Sequence, residues 1–101
     1  MKKLVDVIGL PALLEQTAEE CIELAHACLK LYRDLRGENP TFKDRDAILD
    51  NLNEELADVH ICTTTLIHDS PLHNRKAVFN YLCDKTERMK ERFNLDQNDN
   101  H

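Results

Sequence analysis

The feature that most constrains the fold is a long stretch, from about Leu10 to Arg36, in which apolar residues recur every three or four positions. That spacing keeps one face of an α-helix apolar along its length. The apolar positions are Leu10, Leu13, Leu14, Cys21, Leu24, Cys28, Leu31, Tyr32 and Leu35. We therefore predict one long helix that is ended by Gly37 and followed by a loop, Glu38-Asn39-Pro40-Thr41.

Two further amphipathic helices are predicted after this loop. One begins near Asp44 or Asp46 and ends before Ser70-Pro71. Its apolar side is formed by Ile48, Leu49, Leu52, Leu56, Val59, Cys62 and Leu66. The other begins with Ser70 as N-cap and Pro71 in the first turn. Its apolar residues are Val78, Phe79, Leu82, Met89 and Phe93. The pattern from Val5 to Gly9 is too short to assign.

The scarcity of turn-forming residues supports an all-helical chain. Only two glycines and three prolines occur in 101 residues, and an all-β fold needs frequent turn signals. We predict an all-α fold, an antiparallel bundle of three to four helices. Because so short a chain buries a small share of its surface, we expect oligomerisation, as a homodimer or homotetramer, to complete the bundle. Residues 1–95 form the helical domain, and 96–101 a flexible polar tail.

Charge and cysteine content limit the possible partners and compartments. The formal net charge of -6 argues against a general affinity for nucleic acid. Asp6 and Pro11 interrupt the first apolar run, so we expect neither export nor membrane association. The cysteines lack the close pairing of a zinc or redox motif, and we expect reduced, buried thiols in the cytoplasm. They are Cys21, Cys28, Cys62 and Cys83.

Two acidic residues of the second predicted helix lie unusually close to its apolar side. Since a helix turns about 100° per residue, Glu55 points within about 40° of the centre of the apolar arc. Asp58 lies on the shoulder of the arc, whereas Glu54 points away. A carboxylate in an apolar arc needs a partner.

The first predicted helix carries a matching acidic stripe beside its apolar face, with Glu20 and Glu23 one turn apart. Glu19 and His26 project toward the far side of that helix. If the first two helices pack antiparallel, the acids of both converge in one cleft, where their repulsion would be severe without a cation. Hard oxygen ligands suit Mg²⁺, with Mn²⁺ as a possible substitute. The alternative is that the acids of the first helix form a solvated face.

The third predicted helix carries a cationic stripe beside its apolar face. Lys85, Arg88 and Arg92 share this stripe with Tyr81, and such cations can bind phosphate. The alternative is that they stabilise the end of the helix and form local ion pairs.

Taken together, these motifs resemble those of a known family. They read Glu19-Glu20-Cys21-Ile22-Glu23 and Glu55-Leu56-Ala57-Asp58, with Lys85-Thr86-Glu87-Arg88-Met89 near the end. In this order on consecutive helices, the chain resembles the MazG-like branch of the all-α nucleoside triphosphate pyrophosphohydrolases. The resemblance spans nearly the whole chain.

The resemblance implies cleavage of a nucleoside triphosphate, ribo or deoxyribo, between its α and β phosphates. The products are a monophosphate and pyrophosphate, and the cofactor is Mg²⁺. By resemblance, the metal ligands are Glu20, Glu23, Glu55 and Asp58. Glu20 or Glu19 would accept the proton of the attacking water, although helical geometry turns Glu19 outward. Lys85 and Arg88 would balance the charge of the departing pyrophosphate.

Two rival classes remain open. A di-iron bundle expects two inward-facing Glu-x-x-His motifs, and this chain offers one, between Glu23 and His26. A non-enzymatic helical dimerisation module would use the apolar stripes for association and the acids for solubility. The nucleobase preference stays open, because Ala57, His60, Ile61 and Thr64 give no unique hydrogen-bonding code. The role of His60 and of the run Thr63-Thr64-Thr65 also stays open.

Overall fold

A computed structural model describes residues 3–38 and 44–94, which form four α-helices. They are α1 (Leu4–Ile8), α2 (Leu10–Leu35), α3 (Arg45–Asp69) and α4 (Arg75–Phe93). No strand occurs in these two ranges, so the all-α prediction is confirmed. The predicted polar tail and most of the predicted loop lie outside the described residues. Among the helices described, none has the length and apolar character that crossing a membrane requires.

The ends of α2 follow from local sequence signals. Pro11 lies in its first turn, where the missing N–H is not needed. Gly37 follows the helix with φ of 71°, a left-handed conformation that glycine adopts without strain. The Glu38 amide donates to the Arg33 carbonyl at 2.9 Å, and the Gly37 amide donates to the Asp34 carbonyl at 3.1 Å. This pair of bonds is the Schellman motif, which confirms the predicted stop.

The start of α3 is also confirmed. The carboxylate of Asp44 accepts a hydrogen bond from the Asp46 amide at 3.3 Å. Asp44 is therefore the N-cap of a helix that begins at Arg45, as its residue type favours.

The predicted start of the last helix at Ser70 and Pro71 is wrong. Ser70 follows the end of α3, and its hydroxyl accepts from the Leu72 amide at 3.1 Å. A Ser hydroxyl bonded two residues ahead stabilises a turn rather than a helix. His73 then has a positive φ of 54°, which interrupts any helix, and α4 begins only at Arg75.

The antiparallel pair α2 and α3 packs along a seam of residues spaced alternately by three and four. On α2 the seam consists of Leu13, Thr17, Glu20, Leu24, Ala27, Leu31 and Asp34; on α3 it consists of Ile48, Leu52, Glu55, Val59, Cys62, Leu66 and Asp69. All of these are buried or half-buried, as a coiled-coil seam requires. At one end of the seam, Arg45 Nε lies 2.7 Å from Asp34 Oδ2. Lys3 reaches Asp69 at the other end.

The seam divides the hairpin into two unlike edges. Residues just before every second seam position (Thr17, Leu24, Leu31, Leu52, Val59 and Leu66) form what we call the polar edge: Gln16, Glu23, Lys30, Asn51, Asp58 and Thr65. Residues just after the other seam positions form what we call the apolar edge: Leu14, Cys21, Cys28, Leu35, Leu49, Leu56 and Thr63. In an antiparallel pair, the residues before the seam on both helices meet on one side. One side of the hairpin is thus charged and the other apolar.

The buried core of a single copy is small. The buried hydrophobic residues are Val5, Leu13, Ala27, Ile48 and Cys62. The four cysteines are free thiols, but the expectation that all are buried is wrong, because only Cys62 is buried. Cys21 and Cys28 belong to the apolar edge, which the described residues leave largely open to solvent. Both are exposed, as is Cys83.

Helix α4 projects away from the hairpin. It contacts the C-terminal end of α3, and within the described ranges it makes no contact with α2. No residue between Arg75 and Phe93 is buried, and Phe79 is 62% exposed. The radius of gyration, 17.7 Å, exceeds the value of about 13 Å typical of a compact chain of this length. An apolar helix face is therefore left without a partner.

Leu13→Ala should lower the free energy of unfolding by about 2–5 kcal/mol, because it removes a fully buried side chain from the seam. Urea denaturation at a fixed protein concentration measures this. Leu29→Ala is the matched control on the solvent side of α2, where the side chain is 46% exposed, and should change stability by about 0.5 kcal/mol or less. Equal effects would contradict the assigned seam.

Candidate metal centre

Three carboxylates from the two long helices meet at the middle of the hairpin. Glu20 and Glu23 of α2 and Glu55 of α3 each offer an oxygen, and these oxygens lie within 4.8 Å of one another. Oxygen ligands of one Mg²⁺, at about 2.1 Å from it, lie at most about 4.2 Å apart. Small side-chain adjustments would bring all three oxygens onto one ion.

The fourth predicted ligand, Asp58, lies half-buried on the polar edge beside Glu20. The charge of Asp58 acts on Glu20, and the charge of Glu23 acts on Glu55. Asp58 is not one of the three acids whose oxygens lie within 4.8 Å of one another. Like charges this close repel one another unless a cation or a proton neutralises them.

Burial and mutual repulsion make these acids harder to ionise. Burial raises the pKa of Glu20, and the charge of Asp58 raises it further. Gln16 opposes this shift, because its amide donates to Glu20 Oε1 at 2.7 Å. Burial is also the main cause that raises the pKa of Glu55, followed by the charge of Glu23. Both glutamates occupy seam positions, where an uncharged side chain would be favoured.

Two oxygens in the cluster have no hydrogen-bond donor. Glu20 Oε2 and Glu55 Oε2 are both fully buried and find no partner among the described residues. Such acceptors are rare in folded proteins. A hard cation would satisfy both, and the all-oxygen donor set suits Mg²⁺ or Mn²⁺ rather than zinc. The residues present therefore fit a divalent hard metal ion.

The remaining predicted site residues lie apart from the cluster. Glu19 is exposed on α2 and is not one of the converging acids. Lys85 and Arg88 lie on α4, which does not contact α2 within the described ranges. Arg88 donates to Asp84 at 2.5 Å. This contact is a local ion pair, the alternative to phosphate binding that the sequence left open. A single copy does not bring the two cations to the acids.

The structure adds three residues that the sequence interpretation did not assign to the site. His26, Lys30 and Asn51 line a cavity of about 150 Å³ together with Glu23 and Glu55. His26, which was predicted to project toward the far side of α2, is exposed and borders this cavity. Spacing could have identified Lys30, which lies two turns beyond Glu23 on the same stripe.

No family model matches the chain, and searches among curated proteins and solved structures found no similar protein.

Glu55→Gln should stabilise the protein at neutral pH when no divalent cation is present, and the gain should shrink as the pH falls. The pKa of Glu55 is raised above 4.5 in the folded state, so the folded state binds its proton more tightly than the unfolded state does. Ionised Glu55 therefore lowers stability above its folded pKa, and the penalty disappears near the unfolded value. Thermal unfolding from pH 8 to pH 5 measures the difference.

The neighbouring Glu54→Gln is the control for this experiment, because Glu54 is exposed on the same helix. It removes the same charge and should show a much smaller, less pH-dependent change. A Glu55→Gln difference that stays constant with pH would contradict the assigned environment.

Proposed function

We propose that the chain is a Mg²⁺-dependent nucleoside triphosphate pyrophosphohydrolase, which converts a (deoxy)nucleoside triphosphate to the monophosphate and pyrophosphate. The observation that carries this proposal is the convergence of Glu20, Glu23 and Glu55 from two helices, with buried oxygens left unpaired. The resemblance to MazG-like enzymes supplies the reaction class. The proposal also explains why Glu20 and Glu55 occupy interior positions of the seam.

The ligands in this proposal are the three converging glutamates together with Asp58. When bound there, Mg²⁺, or Mn²⁺ in its place, neutralises triphosphate charge and makes the attacking water more acidic. Without the ion, four carboxylates would repel both one another and the anionic substrate. The protein itself contributes the position of each oxygen, since α2 and α3 pack against each other along their seam.

Glu20 is the carboxylate proposed to accept the proton. Its unpaired Oε2 would face the metal ion, and its Oε1, which accepts a hydrogen bond from Gln16, keeps a second lone pair for the water. The water oxygen bonds to the α-phosphorus, its proton passes to Glu20, and the bond to the bridging oxygen breaks, so that pyrophosphate leaves with that oxygen. Glu19, which is exposed, is the alternative base.

A dimer or tetramer is part of the proposal. The apolar edge and the face of α4 are both exposed in a single copy; Leu14 is 48% exposed and Phe79 62%. Helix α4 carries six cationic and three acidic side chains in a chain of net charge -6, so it complements the acidic remainder of a second copy. Lys85 and Arg88 would reach phosphate only from such a copy.

The dimerisation module without catalysis is the second candidate, favoured by the same exposed apolar surfaces. It gives no reason for unpaired buried carboxylate oxygens in the seam, so we rank it lower. In either case we propose a cytoplasmic location, because the cysteines are free thiols.

We expect Mg²⁺-dependent release of pyrophosphate from at least one member of a panel of ribo- and deoxyribonucleoside triphosphates. The rate should fall by at least about 100-fold in Glu55→Gln, because one of the negative charges that would bind the metal ion is removed. A coupled pyrophosphate assay measures this, and Mn²⁺ titration followed by electron paramagnetic resonance measures metal affinity.

Glu54→Gln serves again as the control and should retain native turnover and metal affinity. Absence of turnover with every triphosphate, together with an unchanged Mn²⁺ affinity in Glu55→Gln, would favour the dimerisation module.

Leu14→Asp should weaken self-association, because it places a charge on the apolar edge. An acid in an early turn of α2 is compatible with the helix itself. Sedimentation velocity over a range of concentrations should show the native chain as a dimer or tetramer and the variant shifted toward monomer. Leu29→Asp, on the solvent side of α2, should leave the assembly unchanged. A native protein that stays monomeric at high concentration would contradict the proposed assembly.

A further inference from the structure

Lys30 lies on the polar edge, on the same side of the hairpin as the acids. It is two turns beyond Glu23 on α2, about 10 Å along the axis at 1.5 Å per residue. Side chains on a helix lean toward its N-terminus, and for Lys30 that direction is toward Glu23. The lysine therefore extends into the cavity that the acids also line.

The cavity has two chemically different ends. Glu23 and Glu55 form one end, and Lys30, His26 and Asn51 line the rest. Because α2 and α3 are antiparallel, Asn51, one turn before Glu55, lies toward the same end as Lys30. An acidic end that suits a cation thus adjoins an end with ammonium and amide donors.

Lys30 is not committed to another partner. It forms no ion pair with any carboxylate of the described residues, whereas Lys3, Lys90 and Arg45 each form one. An ammonium group repels a metal ion and attracts phosphoryl oxygens. An amide can donate two hydrogen bonds to the same oxygens. The ammonium group of Lys30 and the amide of Asn51 at this end are therefore suited to bind an anion.

The cavity has a volume of about 150 Å³ and is open to solvent, so an anion can enter it directly.

We propose that Lys30 and Asn51 bind the β- and γ-phosphates of the substrate, and hence the pyrophosphate product, from the same chain as the acids. This inference rests on the proposed function for its substrate. It assigns to α2 and α3 the phosphate contact that the sequence had placed on α4. Lys30 is a binding residue, since it would contact the leaving group directly.

Direct binding of pyrophosphate in Mg²⁺, measured by isothermal titration calorimetry, tests this inference without any turnover. Lys30→Ala should bind pyrophosphate about 10- to 100-fold more weakly, the range expected for a lost charged hydrogen bond. Lys30→Arg should recover most of the affinity, and Asn51→Ala should weaken binding about 3- to 10-fold. Mn²⁺ affinity without pyrophosphate should not fall in Lys30→Ala.

Arg33→Ala is the matched control, because it removes one positive charge from an exposed position on the same helix that does not line the cavity. It should bind pyrophosphate as the native protein does. Equal affinities for Lys30→Ala and Arg33→Ala would overturn the inference, as would a native protein that binds no pyrophosphate. Failure of the proposed function is a separate result: pyrophosphate binds as expected, but no triphosphate is hydrolysed.

Discussion

The antiparallel seam between α2 and α3 is the interaction on which the rest of the molecule depends. Few of its apolar members are buried, among them Leu13 and Ile48, yet they hold Glu20 and Glu55 in positions where coiled coils usually place hydrophobic residues. The seam thus forces together groups that repel one another. The acids at these two positions lower the stability of the folded state. Such a loss is expected where residues are placed for function rather than for stability.

Because the two sides of the seam differ, one hairpin can serve two purposes. The polar edge gathers acids, a lysine and amides around the cavity, whereas the apolar edge resembles the inside of a bundle that lacks its other half. A second copy that covered the apolar edge would leave the polar edge accessible to the proposed substrate. Assembly and catalysis would then use separate surfaces of the same pair of helices.

Much of this could be predicted from the sequence, because α2 and α3 have a strong apolar period and clear end signals. The angular position of Glu55 likewise followed from helix geometry. The predicted apolar arc of α2 was rotated away from the true seam, because it included Cys21, Cys28 and other residues of the apolar edge. The start of α4 was missed because a Ser-Pro pair can begin either a helix or a turn, and only the Ser70 hydroxyl contact distinguishes them.

The buried thiol of Cys62 has a consequence for the choice of metal. It lies in the seam one turn from Asp58, and burial raises its pKa, with the nearby charge of Glu20 acting in the same direction. Zinc and copper are bound by thiolate rather than by thiol. Among the described residues, Cys62 also lies outside the group whose ligand atoms converge, so the carboxylates would offer a metal ion oxygen ligands only, which favours a hard cation over zinc or copper.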